Sequence, residues 1–76
     1  MKKISIYSTP TCTYCNMAKA FFKEKGIEYQ EFDVAADTVK RKEMIDLSGQ
    51  MGVPVIDIDG QLMVGFSREK LEELLA

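Results

Sequence analysis

The sequence contains no histidine and only two cysteines, and this scarcity limits the metal sites that it can form. A structural zinc site needs about four nitrogen or sulfur ligands, whereas Cys12 and Cys15 supply two. A zinc site built on these thiols would require a dimer. We therefore expect no metal site within one chain.

Other absences narrow the class of protein. The formal net charge is -2, so the chain lacks the basic excess that binds nucleic acid. No apolar stretch approaches the roughly 20 residues of a membrane-spanning helix, and Met1-Lys2-Lys3 leads into a predicted strand rather than into the apolar region of a signal peptide. We expect a cytoplasmic protein, in a compartment that keeps cysteines mostly reduced.

The composition is that of an ordinary folded domain. The chain has 76 residues, of which 46% are hydrophobic and 29% charged, and it shows no repeat, linker or low-complexity segment. This length and composition predict one small domain, 1–76. The basic run Lys40-Arg41-Lys42 is flanked by acidic residues. We interpret it as a solvated helix face or, alternatively, as a contact for an acidic substrate.

The two cysteines lie where a predicted strand gives way to a predicted helix. Residues 3–8 alternate apolar and polar side chains, as in a strand, and residues 14–25 have helical spacing before Gly26. Cys12 then falls in the first turn of the helix, where unpaired backbone N–H groups and the helix dipole stabilise a thiolate. Cys15 has fewer free donors around it, and we expect it to keep an ordinary pKa.

This asymmetry predicts dithiol redox chemistry. Cys12 would attack a disulfide and form a mixed disulfide, and Cys15 would then attack that bond and close a Cys12–Cys15 disulfide. A purely structural disulfide would close a loop too short to constrain much of the unfolded chain. Two buried, inert cysteines are the other alternative. The spacing favours a thiol–disulfide oxidoreductase that needs no bound cofactor.

The middle of the chain predicts a second strand over residues 27–34 and a second helix over residues 37–48 that ends at Gly49. The first strand, first helix and second strand form a β-α-β unit, which makes the two strands parallel. Asp37 or Thr38 can cap the second helix. Three of its apolar residues are expected to face inward, namely Val39, Met44 and Leu47.

The last third of the chain predicts a β-hairpin and a helix. Asp59-Gly60 between two apolar runs is a strong signal for a two-residue hairpin. Ser67 is a good N-cap for the last helix, and Phe66 and Leu71 have the spacing of a hydrophobic staple. The order β-α-β-α-β-β-α predicts an α/β fold with a four-stranded mixed sheet flanked by three helices.

With these elements and motifs, the chain resembles the glutaredoxin-like branch of the thioredoxin superfamily over essentially its whole length. The motifs are Cys12-Thr13-Tyr14-Cys15 after the first strand, Val53-Pro54 before the third, the Asp59-Gly60 hairpin, and Gly65 before the last helix. The resemblance implies a thioredoxin-like fold and a thiol–disulfide oxidoreductase activity.

The resemblance also implies a substrate site around the cysteines. Base rates favour a trans Val53–Pro54 bond, but the resemblance implies a cis bond beside the Cys12 sulfur, with the Val53 backbone free to pair with a substrate. The implied substrate-binding residues are Thr11, Thr13, Tyr14, Val53, Pro54, Gly65, Phe66 and Ser67. Tyr14 is alternatively an exposed helix residue, and Phe66 alternatively serves only as the staple.

Departures from the family's pattern leave open which reductant restores the Cys12–Cys15 dithiol after each cycle (the recharging system). Thr13 replaces the proline of Cys-Pro-Tyr-Cys, so the family's reduction potential does not carry over. Gly52 stands where glutathione-binding members have threonine, and Gly65-Phe66-Ser67-Arg68 replaces their Gly-Gly-X-Asp. The free N–H groups at Ser67 and Arg68 can still receive a carboxylate at a helix N-terminus.

The partners that the resemblance implies are disulfide-containing proteins or glutathione mixed disulfides, with glutathione as a co-substrate. One alternative is a redoxin recharged by thioredoxin reductase, because Gly65-Phe66 resembles the small redoxins that serve ribonucleotide reductase. Another is a dimeric iron–sulfur or metal-binding module with Cys12 from two subunits, which the Thr13 substitution keeps open. We expect a monomer with no nucleic-acid or membrane partner.

Overall fold

The secondary-structure elements follow one another in the predicted order, β-α-β-α-β-β-α. The computed structural model describes residues 3–75, and the expectation for the start of the chain at Met1 and Lys2 lies outside them. The elements are β1 (Ile4–Ser8), α1 (Thr13–Glu24), β2 (Gln30–Asp33), α2 (Thr38–Ser48), β3 (Val55–Ile58), β4 (Gln61–Val64) and α3 (Arg68–Leu75). The expected fold class is therefore confirmed.

The four strands form one mixed sheet in the order β2-β1-β3-β4. β1 is parallel to β2 and antiparallel to β3, so that Tyr7 lies opposite both Phe32 and Val55. β3 and β4 pair in antiparallel fashion, with Val55 opposite Val64. The end of β1, the start of β3 and the end of β4 therefore meet at the same end of the sheet.

One face of the sheet is covered by α1 and α3 through the larger core. Alternate residues of each strand point to this face, and Ile6 and Phe22 in its centre are fully buried. Burying a side chain of this size contributes roughly 1.5–3 kcal/mol. The buried members of this core are Ile4, Ile6, Ala18, Phe21, Phe22, Ile56, Ile58, Met63 and Leu71.

The opposite face of the sheet carries α2 over a smaller core. Its buried members are Tyr7, Val34, Met44 and Val55. Met44 faces inward as predicted, but the prediction for Val39 and Leu47 is wrong, because 74% and 46% of these residues are exposed.

Polar side chains of α2 lie against the sheet beside Met44. The Tyr7 hydroxyl donates a hydrogen bond of 3.0 Å to Glu43, and burial, followed by this contact, raises the pKa of Tyr7 to about 12. The Lys40 ammonium pairs with Glu43 at 3.0 Å and lies 4.3 Å from the centroid of the Phe32 ring. The basic run is thus only partly a solvated face, since the Lys40 stem covers an aromatic ring while its charge is paired.

The second strand is shorter than predicted, Gln30–Asp33 instead of residues 27–34. The residues before it close the C-terminus of α1. Gly26, at φ +68°, donates to Lys23 O, and Ile27 donates to Phe22 O at 2.9 Å, which is the pattern of a Schellman motif. The backbone of Ile27 is therefore committed to the helix end and not to the sheet.

The predicted helix caps and the predicted turn are present. The Asp37 carboxylate accepts hydrogen bonds from the N–H groups of Val39 and Lys40, at 3.1 and 3.0 Å. Ser67 Oγ accepts from the N–H of Lys70 in the first turn of α3. Asp59 and Gly60 both have positive φ, as a type I′ hairpin turn requires.

Replacing Asp37 with alanine removes the acceptor of two otherwise unpaired N–H groups at the start of α2. We expect the free energy of unfolding to fall by about 1 kcal/mol, as measured by urea denaturation. Asp46→Ala is the matched control, because Asp46 is exposed within the same helix, and we expect it to change the value by less than about 0.5 kcal/mol. Equal losses in the two variants would contradict the capping role.

Candidate active site

Three segments that are distant in sequence converge at one end of the sheet. The loop that carries Cys12 leaves the end of β1, Pro54 immediately precedes β3, and Gly65 immediately follows β4. The N–H of Gly65 donates to the carbonyl of Pro54 at 2.8 Å, which fastens two of these segments together. The Val53–Pro54 peptide bond is cis, as the resemblance implied.

Cys12 is the N-cap residue of α1. The sequence analysis had placed it in the first turn of the helix instead. Its backbone is extended, its own N–H donates to Thr9 O at 3.3 Å, and its sulfur accepts the N–H of Cys15 at 3.2 Å. The Cys12 sulfur therefore occupies the place that a serine or aspartate oxygen takes in an ordinary cap. It is partly exposed and faces the unpaired end of the helix.

Cys15 is fully buried, with 0% of the residue exposed. Burial, and next its hydrogen bond with the Cys12 side chain, raise the pKa of Cys15 to about 12; a hydrogen bond from the Thr9 backbone and the charge of Lys19 act in the opposite direction. The expectation of an ordinary pKa for Cys15 is therefore wrong. Counting free N–H donors along the helix left out the cost of a charged sulfur against the apolar core.

A polar chain of Lys19, Glu31 and Ser8 lies on the face of the sheet that α1 covers. The Lys19 ammonium is 2.7 Å from the Glu31 carboxylate, and the Ser8 hydroxyl donates to the same carboxylate oxygen at 3.1 Å. Ser8 is 1% exposed. The Glu31 hydrogen bond raises the pKa of Lys19, and Lys19 lowers the pKa of Glu31.

Sequence analysis missed this chain of contacts. The available signal was the four-residue spacing from Cys15 to Lys19, which places the two side chains on one face of α1.

Five of the eight predicted substrate-binding residues lie in the cysteine loop, in the first turn of α1 or in the Val53–Pro54 segment. Thr11, Thr13 and Tyr14 are exposed, and Pro54 is buried. The backbone N–H and C=O of Val53 make no hydrogen bond within residues 3–75. This end of the sheet therefore offers exposed side chains together with an unpaired stretch of backbone.

The remaining three, Gly65, Phe66 and Ser67, form the connection from β4 to α3. Gly65 is held at Pro54, whereas the Phe66 ring packs edge-on to Phe21 in the second half of α1, with 6.4 Å between the centroids. Phe66 thus packs against the larger core, to which Leu71, the other residue of the predicted staple, also belongs. Ser67 is exposed at the cap of α3.

Other parts of the molecule offer few candidates for a second site. A cavity of about 920 Å³ lies at the opposite end of the sheet, with Ile4, Ile27 and Tyr29 in its wall, and neither cysteine lines it. Within residues 3–75, no group of three or more histidine, cysteine, aspartate or glutamate side chains is arranged to hold a metal ion. No helix in that range is long and apolar enough to cross a membrane.

Comparisons with known proteins agree with this arrangement. Residues 4–63 match the family model described as Glutaredoxin. A glutaredoxin-like 8.6 kDa protein in the rubredoxin operon of Clostridium pasteurianum is 47% identical over 72 residues, which cover 95% of this chain and 96% of the relative. Glutaredoxin 3 of Escherichia coli K12 is 43% identical over 65 residues, which cover 86% and 78%. The solved structure of the thioredoxin-like protein BC3987 has a TM-score of 0.89 at 36% identity, covering 95% and 99%.

The burial of Cys15 makes a prediction about alkylation. Burial is the largest cause of the raised Cys15 pKa and remains when Cys12 is replaced, and iodoacetamide reacts with the thiolate. We expect folded Cys12→Ser to be alkylated at least about a hundredfold more slowly than folded Cys15→Ser, as followed by mass spectrometry.

The same two variants unfolded in guanidinium are the control, and their rates should be similar. Because the raised pKa keeps Cys15 protonated, its alkylation should accelerate as the pH rises toward 12. Equal rates for the two folded variants would contradict the assigned burial.

Proposed function

The chain belongs to the glutaredoxin family of thiol–disulfide oxidoreductases, and we propose that it reduces disulfides through a Cys12–Cys15 dithiol/disulfide cycle. Its substrates in this proposal are disulfide-containing proteins and glutathione mixed disulfides. The observation that carries the proposal is the unequal environment of the two sulfurs. Cys12 is partly exposed at the cap of α1, with its sulfur 3.2 Å from the N–H of Cys15, whereas the Cys15 thiol is buried.

In the first step, the Cys12 thiolate attacks one sulfur of the substrate disulfide. A Cys12–substrate disulfide forms, the substrate S–S bond breaks, and the departing thiolate takes a proton from solvent. The N–H of Cys15 and the positive end of α1 stabilise the attacking thiolate. The exposure of Cys12 lets it reach a disulfide on another molecule.

In the second step, Cys15 loses its proton and attacks the Cys12 sulfur. The Cys12–Cys15 disulfide forms, the bond to the substrate breaks, and the second substrate thiolate leaves and is protonated. The protein dithiol has then lost two electrons and the substrate disulfide has gained them. Because Cys15 is buried, its natural target is the neighbouring Cys12 sulfur rather than an external disulfide.

The proposed substrate groove runs past Cys12 between the exposed residues of the cysteine loop and the Val53 backbone. An extended peptide would pair with the free N–H and C=O of Val53 in β fashion. The side chains and backbone that would line this groove are Thr11, Thr13, Tyr14, Val53, Pro54, Gly65, Phe66 and Ser67. A glutathione carboxylate would bind at the first N–H groups of α3.

We propose glutathione as the reductant that restores the dithiol, with thioredoxin reductase as the second candidate. Two departures from the family's glutathione-binding pattern support the second candidate. Gly52 stands in place of a threonine, and the family's aspartate is absent after Gly65. One relative is encoded in a rubredoxin operon, which supports a function with other redox proteins as partners. We place the chain, as one glutaredoxin-like domain over 1–76, in the cytoplasm as a monomer, since reducing conditions keep the dithiol available.

The iron–sulfur alternative rests on Thr13 alone. Its test is the absorbance spectrum and mass of protein purified without oxygen. A colourless monomer would contradict it, and a coloured dimer would support it over the proposed cycle.

Substitution of each cysteine separates the proposed roles. We expect Cys12→Ser to lose reduction of both protein disulfides and glutathione mixed disulfides, because the attacking sulfur is absent. Cys15→Ser should lose protein-disulfide reduction but keep reduction of glutathione mixed disulfides, in which a second glutathione can replace the resolving thiol. Coupled NADPH assays measure both activities. Retained activity in Cys12→Ser would contradict the assignment.

The recharging system is identified with the oxidised protein as substrate. We expect glutathione, with glutathione reductase and NADPH, to restore two free thiols per chain, as counted by mass spectrometry after alkylation. Restoration only by thioredoxin reductase with NADPH would replace glutathione by the second candidate. If neither system reduces the disulfide, the proposed electron-carrier function is contradicted.

A further inference from the structure

The proposed cycle requires the buried Cys15 thiol to ionise at the moment it attacks. Cys15 has 0% of its surface exposed, so water cannot stabilise the developing thiolate directly. Some group of the protein must supply this stabilisation if the second step is to proceed at neutral pH. The surroundings of Cys15 within residues 3–75 identify the candidate.

Lys19 is the cation that acts on Cys15 within the described chain. It follows Cys15 by four residues, and helical side chains lean toward the N-terminus, so the Lys19 stem points back over the turn that carries the thiol. The other causes that shift the Cys15 pKa are burial, the Cys12 side chain and the Thr9 backbone. Tyr29 and Glu31 act on Lys19.

Lys19 is held in this position by the sheet. Its ammonium is 2.7 Å from the Glu31 carboxylate on β2, and its side chain is only 19% exposed. The buried Ser8 hydroxyl donates to Glu31 at 3.1 Å and so fixes the carboxylate from the end of β1. A surface lysine would sample many rotamers, but this one is restrained by two neighbouring strands.

We propose that Lys19, restrained by Glu31 and Ser8, is a positioning residue that holds a positive charge beside Cys15 and thereby promotes the second step of the disulfide exchange. The inference rests on the proposed Cys12–Cys15 cycle. Lys19 acts as a fixed cation and not as a base, because Glu31 raises its pKa and keeps it protonated. As the Cys12–Cys15 bond forms, the proton lost by Cys15 is matched by the proton that the departing substrate thiolate takes up.

Loss of the Lys19 charge would change the rate of the second step through two opposing effects on Cys15. If loss of the charge raises the pKa of Cys15 by one unit, the thiolate fraction at neutral pH falls about tenfold. The intrinsic nucleophilicity of the thiolate rises about threefold over the same unit. The net expectation is a second step about threefold slower.

A stopped-flow reaction of the reduced protein with 4,4′-dithiodipyridine, a neutral disulfide, resolves the two steps. Cys12 attacks the reagent and releases one thiopyridone at a rate that depends on reagent concentration. Cys15 then attacks the Cys12–thiopyridine disulfide and releases a second thiopyridone at a rate independent of that concentration. Mass spectrometry of the product identifies the Cys12–Cys15 disulfide.

We expect Lys19→Met and Lys19→Gln to slow the second phase about threefold near pH 7 and to move its pH profile upward, with the first phase nearly unchanged. Glutamine retains a hydrogen-bond donor for Glu31 without the charge, so it separates charge from contact. Lys19→Arg should stay close to the wild-type rate. Lys23→Met is the matched control, because Lys23 is an exposed lysine one turn farther along α1, and both of its phases should be unchanged.

Several outcomes would overturn the role of Lys19. One is a second phase whose rate is unchanged in both Lys19→Met and Lys19→Gln. Another is a second phase as slow in Lys19→Arg as in Lys19→Met. A third is a substitution of Lys19 that slows both phases equally. The cycle itself fails separately, if wild-type protein releases one thiopyridone per chain and forms no internal disulfide. Circular dichroism confirms that each variant is folded before its second phase is compared.

Discussion

The packing of the inner face of α1 against the sheet is the constraint on which both the fold and the redox site depend. Ala18, Phe21 and Phe22 fill the larger core, and Cys15 continues the same buried face toward the start of the helix. Because Cys15 is fixed at that depth, the cap residue three positions earlier emerges at the surface with its sulfur over the helix end. The two sulfurs therefore differ through their place on one helix.

Local signals were sufficient for most of the fold but not for contacts between distant segments. The Asp59-Gly60 turn and the caps at Asp37 and Ser67 depend on neighbouring residues and could be predicted. The inward face of α2 could not, because Tyr7 on another element makes the Glu43 position favourable for a charged residue. The cis bond before Pro54 came from the family resemblance, since base rates alone favour trans.

The candidate site, too, could be predicted only in part. The proposed order of attack by the two cysteines rests on their positions on one helix, which helical spacing predicts. The pKa of Cys15 depends on burial under the sheet, and the restraint on Lys19 depends on Glu31, twelve residues away in sequence. A prediction limited to neighbours along the chain therefore identifies the proposed nucleophile, Cys12, but not the environment of Cys15.

The unequal cores on the two faces of the sheet have a consequence for thermal fluctuations. α1 and α3 share the larger core, whereas α2 contributes Met44 as its one buried residue within 38–48, with the partly buried Ile45 beside it and with polar contacts at Glu43. Helices with little apolar burial open at lower free energy than the rest of a domain. Val53 packs against the α2 core, and Cys12 sits on α1. Opening of α2 would thus loosen the Val53 backbone, which is the proposed docking segment, while leaving Cys12, the proposed nucleophile, in place at the cap of α1.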